Sequence, residues 1–187
     1  MIAGPNGSGK STVAPALLRD ELQVTEFVNA DAIAQGLSAF APDKVAFDAG
    51  RIMLKRLHEL AAARADFAFE TTLASRTFAP WLRRLVDSGY QFHLVFVWLP
   101  SPDTNVERVA LRVRRGGHNV PEDTIRRRYE GGLRNLFQLY RPLSATWRFY
   151  HNVDPSDPTL VARGSGEAVE KSFDPPLWEQ IERQYKV

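Results

Sequence analysis

The chain has 187 residues, 44% of them apolar, which suits one compact domain spanning residues 1–187. It has no cysteine, which excludes a disulfide framework and thiolate zinc sites, and no apolar stretch near the roughly 20 residues of a membrane span. A net charge of +2 argues only weakly for nucleic acid or a membrane surface as a partner. Because the N-terminus also lacks a charged-then-apolar signal pattern, we expect a cytoplasmic protein with no membrane contact.

Apolar patterning in the first half of the chain predicts strands that alternate with helices. In chain order these are a strand at residues 1–3, a helix at 10–22, a strand at 26–29, a helix within 42–65, a strand at 66–70, a helix that ends at Gly89 and a strand at 90–99. Because three residues are few for a central strand, we expect residues upstream of Met1 to complete the first one. The alternation predicts a parallel sheet with helices on both faces.

The second half is expected to supply a lid and a closing segment. Two arginine-rich helices at 103–115 and 121–140 are followed by a last core strand at 147–152. The lid itself is placed at residues 108–128. Turn-forming residues between 154 and 174 predict turns with a hairpin, and a short helix at 175–185 ends the C-terminal segment 153–187.

The strongest motif is a glycine-rich loop directly after the first strand. Residues Gly4-Pro5-Asn6-Gly7-Ser8-Gly9-Lys10-Ser11, followed by Thr12, match G-x-x-x-x-G-K-[ST] and open a helix. Such a loop brings backbone N–H groups close to phosphate oxygens, while Lys10 neutralises the outer phosphates and Ser11 offers a hydroxyl to Mg²⁺. Since no Asn-Lys-x-Asp string for guanine occurs, we expect ATP and Mg²⁺ as cofactors. The fold class is therefore predicted to be α/β, a P-loop NTPase or nucleoside-kinase-like parallel sheet with an arginine-rich helical lid.

Two acidic residues follow predicted strands at the edge of the sheet where ligands of such folds bind. Asp31 follows the second strand, where a carboxylate could accept the proton of an attacking hydroxyl. The alternative is that Asp31 only caps a short helix beginning at Ala32. Both roles can coexist.

Glu70 ends the third strand and resembles a Walker B carboxylate, so we expect it to hold Mg²⁺ or its water shell. Thr71 and Thr72 add hydroxyls beside it. The alternative is a structural turn in which Glu70 caps a neighbouring helix and the threonines bond locally.

The arginine pattern favours a lid that closes on the transferring phosphate. Arg108, Arg112 and Arg115 recur at i, i+4 and i+7 and therefore share one helix face, and Gly116-Gly117 supplies a hinge. The alternative is a solvated basic face. His118 is either a hydrogen-bonding loop residue or part of the site.

Four segments of the chain together match one known family: residues 2–12, 27–31 with 36–38, 67–72, and 115–121 through Arg128-Tyr129. In these segments and their order the chain resembles the zeta-toxin family of P-loop kinases. The resemblance implies ATP-dependent phosphorylation of a hydroxyl on UDP-N-acetylglucosamine or a related nucleotide sugar, and an antitoxin protein as a partner. By position, it implies that Asp31 is the general base and that the lid arginines clamp phosphate, although the lid does not match the family arginine for arginine. The catalytic candidates are therefore Lys10 and Asp31, with Arg112 and Arg115 from the helix spacing. The residues that the resemblance implies for the substrate site are Asn29, Asp31, Glu70, Thr72, Arg76, His118 and Arg128.

The chain departs from the family pattern at Thr71, where the family has glycine, and Arg76 is only a near counterpart of a family arginine. The predicted activity is thus a small-molecule kinase. The alternatives are a kinase for an antibiotic, a nucleic-acid end or another metabolite, and a non-kinase ATP-dependent switch or interaction protein. An acceptor-facing Asp31 distinguishes the kinase from the switch.

Overall fold

A computed structural model describes residues 1–154 and 157–186, apart from the side chains at positions 20 and 21. Within these residues seven strands form one sheet in the order β2-β3-β1-β4-β5-β6-β7. The strands are β1 (Ile2–Ala3), β2 (Glu26–Val28), β3 (Phe67–Thr71), β4 (His93–Trp98), β5 (Thr146–His151), β6 (Thr159–Ser165) and β7 (Ala168–Ser172). The helices are α1 (Lys10–Ala14), α2 (Ala30–Leu37), α3 (Ala46–Ala62), α4 (Phe78–Asp87), α5 (Pro102–Arg114), α6 (Glu122–Asn135) and α7 (Pro175–Tyr185).

The predicted parallel sheet is confirmed for β1 to β5, and the predicted hairpin joins it as two antiparallel strands, β6 and β7. β1 lies between β3 and β4, and its two residues are fully buried because helices cover both faces. The register places Ala3 opposite Thr71 on one side and Phe96 on the other. The loop after β1 therefore leaves the sheet at its middle, level with the end of β3.

The helices are shorter or more irregular than the periodicity predicts. The predicted helix at 10–22 is α-helical only over α1 and continues as a π-helical turn at Pro15–Glu21, because Pro15 has no N–H for the regular ladder. α6 likewise passes into a π-helical turn at Leu136–Tyr140. A 3-10 turn at Pro42–Val45 precedes α3. None of the helices in the described part of the chain is long and apolar enough to cross a membrane.

A buried arginine fastens the C-terminal segment to the sheet. Arg141 is 2% exposed, and its guanidinium donates to Glu182 on α7 at 2.7 Å. It also lies 4.7 Å from the ring centre of Trp147 on β5, a distance typical of a cation–π contact. Arg141 therefore holds α7 and β5 together.

Candidate active site

The loop at residues 4–11, here called the phosphate loop, has the backbone that its motif requires. Gly4, Gly7 and Gly9 have φ values of +143°, +80° and +90°, which side-chain-bearing residues rarely adopt. A Cβ at Gly4 would also lie 2.9 Å from the Ser8 hydroxyl. The loop borders a cleft of about 530 Å³. Its conformation and its position at the N-terminus of α1 fit the phosphates of a nucleotide.

Lys10 lies at the bottom of this cleft and is only 6% exposed. Its ammonium group donates to the Pro5 carbonyl at 3.0 Å and lies 3.6 Å from the Glu70 carboxylate. Burial lowers the pKa of Lys10, and the nearby Glu70 and then Asp31 raise it in part. Lys10 is thus a buried cation at the place where the outer phosphates are expected.

Glu70 is the centre of a small hydrogen-bond network beside the phosphate loop. One carboxylate oxygen accepts from the Ser11 hydroxyl at 2.8 Å and from the Asn29 amide at 2.9 Å. Parallel pairing of β1 with β3 brings Glu70 to the phosphate loop although 59 residues separate it from Ser11. The oxygens of Ser11 and Glu70 are hard ligands of the kind that Mg²⁺ takes together with substrate phosphates, so this donor set fits the ion.

Glu70→Gln should raise the Mg²⁺ concentration needed for half-maximal ATP binding by about 10- to 100-fold, the usual effect of losing a ligand or its supporting partner. The reason is that glutamine keeps the size of the side chain but removes its charge. Calorimetric titrations of ATP at several Mg²⁺ concentrations measure the shift. Glu59→Gln, which changes an exposed acid on α3, is the control. An unchanged Mg²⁺ requirement in Glu70→Gln would exclude Glu70 from the metal site.

The structure assigns the helix cap of α2 to Asn29 and leaves Asp31 free of that role. The Asn29 side-chain oxygen accepts from the backbone N–H groups of Asp31 and Ala32, and α2 begins at Ala30. The alternative in which Asp31 caps this helix is therefore wrong, since the residue two positions earlier does so. Because Asn29 also donates to Glu70, both ends of its amide are engaged within the protein.

Asp31 borders the same cleft as the phosphate loop, and its side chain is 58% exposed. Its carboxylate lies 3.8 Å from Nδ1 of His118, which comes from the loop between α5 and α6. An exposed carboxylate beside the phosphate loop can meet an acceptor hydroxyl without first breaking a buried network.

The three arginines predicted to share one helix face border the cleft, two of them on α5 and the third directly after it. These are Arg108, Arg112 and Arg115. Arg112 donates to the carbonyl of His118 at 3.0 Å, and Arg108 donates to the carbonyl of Val153 at 2.5 Å. One guanidinium nitrogen of Arg108 and Nε of Arg112 are buried without a partner among the described residues. The hydrogen-bonding capacity of these two N–H-bearing groups is therefore unused among the described residues.

Arg128 approaches the phosphate loop from α6. It donates to the side-chain oxygen of Asn6 at 3.2 Å. Burial lowers the pKa of Arg128, the neighbouring Arg127 lowers it further, and Asp31 raises it. Basic side chains of α5 thus line the cleft, and Arg128 of α6 reaches the phosphate loop through Asn6.

Thr72 and Arg76 do not line the cleft that Glu70 lines. The hydroxyls of Thr71 and Thr72 accept from the backbone N–H groups of Leu73 and Ala74, at 3.1 and 3.5 Å, as the local-turn alternative expects. Arg76 lines a separate groove between α4 and the residues that follow α6. The structure therefore does not bring Arg76 to the phosphate loop. The turn after β3 places Arg76 just before α4, where it lines the separate groove.

Sequence patterns do not reveal two asparagines that contact the phosphate loop. Asn105 on α5 donates to the carbonyl of Asn6, and Asn152, directly after β5, donates to the carbonyl of Ser8, each at 2.6 Å. They lie 99 and 144 residues from their partners. An asparagine at a strand end or in a helix is too common a feature to indicate such a role.

Comparison with solved structures identifies proteins that share the fold. The crystal structure of AvrRxo1-ORF1:-ORF2 with ATP aligns with a TM-score of 0.75 at 16% identity, covering 96% of this chain and 62% of that chain. The PezAT chromosomal toxin–antitoxin system of Streptococcus pneumoniae aligns with a TM-score of 0.62 at 17% identity, covering 98% and 80%. This chain thus spans 62% of the length of the AvrRxo1 chain. At these identities the likeness concerns the fold, which is that of P-loop kinases.

Sequence comparison gives a relative and a family. An uncharacterised protein of Haemophilus influenzae is 29% identical over 126 residues, which are 67% of this chain and 88% of that protein. The AAA domain model matches residues 1–131, which include the phosphate loop, Asp31, Glu70 and the whole predicted lid. This match covers more than half of the chain, so the protein belongs to the AAA domain family.

Proposed function

We propose that this protein is an ATP-dependent kinase that transfers the γ-phosphoryl group of ATP to a hydroxyl of a small molecule. The observation that carries the proposal is that the phosphate loop and the exposed carboxylate of Asp31 border one cleft. An ATPase switch needs no second carboxylate facing an acceptor, whereas a kinase needs a group that receives the hydroxyl proton.

In the proposed reaction the acceptor oxygen attacks the γ-phosphorus, and its proton passes to the Asp31 carboxylate. The bond between the γ-phosphorus and the oxygen that bridges it to the β-phosphate breaks, and ADP leaves. Lys10 supports the negative charge on the outer phosphates. Arg112 on α5 and Arg115, directly after this helix, border the cleft and are proposed to stabilise the transferring group.

Ser11 and Glu70 are the residues proposed to hold Mg²⁺, which would neutralise phosphate charge when bound. Asn29 supports them through its bond to Glu70. His118 is proposed to orient Asp31, because its ring nitrogen lies beside the carboxylate, and Arg112 holds the His118 backbone from α5.

For the acceptor we propose a nucleotide sugar such as UDP-N-acetylglucosamine, as the zeta-toxin resemblance implies. Two features of the site support an anionic acceptor. Arg128 donates to Asn6 of the phosphate loop, and the charge of Asp31 raises the pKa of Arg128 against the lowering by burial. The buried nitrogens of Arg108 and Arg112 offer donors that lack protein acceptors among the described residues.

Incubation with ATP, Mg²⁺ and UDP-N-acetylglucosamine, followed by mass spectrometry, tests both levels of the proposal. The expected product is heavier than the acceptor by one phosphoryl group. A phosphorylated product from another compound in an acceptor panel that includes an aminoglycoside, a nucleic-acid 5′ end and small sugars would overturn the nucleotide-sugar assignment alone. ATP hydrolysis at the same rate with and without every acceptor would overturn the kinase and favour a switch.

A protein partner that blocks this site belongs to the same proposal. The PezAT structure is of a toxin–antitoxin system, and the AvrRxo1 structure is a complex of two proteins. For this chain we therefore propose an antitoxin-like inhibitor. Its addition should prevent ATP binding or phosphoryl transfer in the assay above.

A further inference from the structure

Two residues outside the phosphate-loop motif, neither of which lines the cleft, form hydrogen bonds to that loop. Asn105 and Asn152, here called the asparagine pair, have no exposed surface. Each side-chain amide donates one 2.6 Å hydrogen bond to a carbonyl of the loop, Asn105 to Asn6 and Asn152 to Ser8. Donors at these two places are needed because a buried carbonyl without a partner is costly.

The planarity of the peptide bond gives these hydrogen bonds a consequence on the other side of the loop. In a trans peptide, the carbonyl of one residue and the N–H of the next point in opposite directions, and the described residues contain no cis peptide. A bond that holds the Asn6 carbonyl towards Asn105 therefore turns the Gly7 N–H away from Asn105. In the same way, the bond from Asn152 to Ser8 turns the Gly9 N–H away from Asn152. Gly7 and Gly9 both border the cleft.

The same contacts give a steric reason why positions 7 and 9 of the motif are glycine. A Cβ at Gly7 would lie 2.7 Å from the backbone oxygen of Asn105, and a Cβ at Gly9 would overlap the side-chain amide of Asn152. The glycines thus let the two asparagines approach closely enough to bond the loop. Asn152 is itself held by its backbone N–H, which donates to Trp98 at 2.9 Å and continues the pairing of β5 with β4.

The chemistry of the amide explains why both residues are asparagine. Their side-chain oxygens are buried and have no partner among the described residues, so only the donor end of each amide is used. An aspartate of the same shape would place a carboxylate oxygen against a carbonyl oxygen in a buried position, which is repulsive and leaves a charge without compensation.

We infer that Asn105 and Asn152 are positioning residues for nucleotide binding, which aim the Gly7 and Gly9 N–H groups at the phosphates by holding the carbonyls behind them. The inference rests on the proposed ATP site. It adds that the phosphate loop is held in its binding conformation from α5 on one side and from the end of β5 on the other. Asn6, a variable position of the motif, contacts both lid helices. Its backbone carbonyl accepts from Asn105 on α5, and its side-chain oxygen accepts from Arg128 on α6.

The test compares Asn105→Asp and Asn152→Asp with a matched control, Asn135→Asp. Asn135 is also a buried asparagine, and its amide donates to the carbonyl of Leu73 at 2.7 Å, away from the phosphate loop. Calorimetry with ATP and Mg²⁺ and with inorganic tripolyphosphate measures affinity, and thermal unfolding measures stability. The tripolyphosphate arm isolates the phosphate contacts from those to the base and sugar.

For each aspartate variant of the asparagine pair we expect a loss of about 10- to 100-fold in affinity for both ligands, the scale of losing charge-assisted hydrogen bonds. Asn135→Asp should lower the melting temperature but keep the affinities within about twofold. Should an aspartate variant not fold, alanine at the same position removes the donor without adding a charge. Amide NMR shifts of Gly7 and Gly9 on adding ATP give an independent readout, and these shifts should shrink in the variants.

Unchanged affinities in folded variants of Asn105 and Asn152 would overturn the inference, and so would an equal loss in Asn135→Asp. The wild-type protein separates this result from failure of the proposed function. If the wild type binds neither ATP nor tripolyphosphate, the proposed ATP site is wrong and the inference fails with it. If the wild type binds both and the variants bind equally well, only the inference fails.

Discussion

Asp31→Asn is expected to lower the rate of phosphoryl transfer by about 10²- to 10⁴-fold, the contribution typical of a general base, while ATP affinity stays unchanged. Asparagine has almost the same shape as aspartate but does not accept the acceptor proton. The structure makes this change easy to interpret, since Asn29 rather than Asp31 caps α2. The helix therefore keeps its cap in the variant.

Initial rates measured with the acceptor found in the assay, together with ATP calorimetry, decide this prediction. Asp48→Asn is a matched control, because Asp48 is an exposed acid in the first turn of α3 and its loss has the same small effect on a helix dipole. A rate within about twofold of wild type in Asp31→Asn would assign proton removal to another group. A parallel loss of ATP affinity and melting temperature would indicate a structural role for Asp31 instead.

Lys10→Ala should weaken ATP binding by about 100-fold or more, because the outer phosphates lose charge-assisted bonds to a buried ammonium group. The ammonium group of Lys10 contacts the Pro5 carbonyl and the Glu70 carboxylate. Glu70 keeps its bonds to Ser11 and Asn29 when Lys10 is removed. The fold is therefore expected to survive, which separates binding from stability.

Calorimetry measures the affinity, and thermal unfolding checks the fold. Lys55→Ala serves as the control, since the Lys55 side chain is 80% exposed on α3 and pairs only with Glu59 among the ion pairs of the described residues. We expect the control to bind ATP like the wild type. Equal affinities in Lys10→Ala and the wild type would show that the nucleotide binds elsewhere on the protein.

Several features of the candidate site follow from local sequence. The phosphate loop is a run of consecutive residues whose glycines permit three positive φ values, so its backbone is encoded where it is used. Arg108, Arg112 and Arg115 were expected on one helix face from their spacing, and they border the same cleft in the structure. The alternation of strands and helices likewise predicts the parallel part of the sheet.

Other features depend on contacts between distant parts of the chain. Asn29 and Asp31 are both good helix caps by type, and only the observed bonds assign the cap to Asn29. Arg76 lies near Thr72 in sequence, but the turn after β3 directs it into a different groove. The hairpin of β6 and β7 was expected as a local element, yet its addition to the sheet depends on pairing with β5.

The sequence by itself therefore determined the nucleotide loop, the type of fold and the residue types available for catalysis, because each is expressed in neighbouring residues or in a helical or strand period. Tertiary structure alone decided which of those residues meet. The order of the strands places Glu70 beside Ser11, and the packing of α5 and β5 places Asn105 and Asn152 behind the phosphate loop. Such contacts depend on how whole strands and helices are arranged. A hydrogen bond between residues more than 90 positions apart produces no periodic pattern in the sequence.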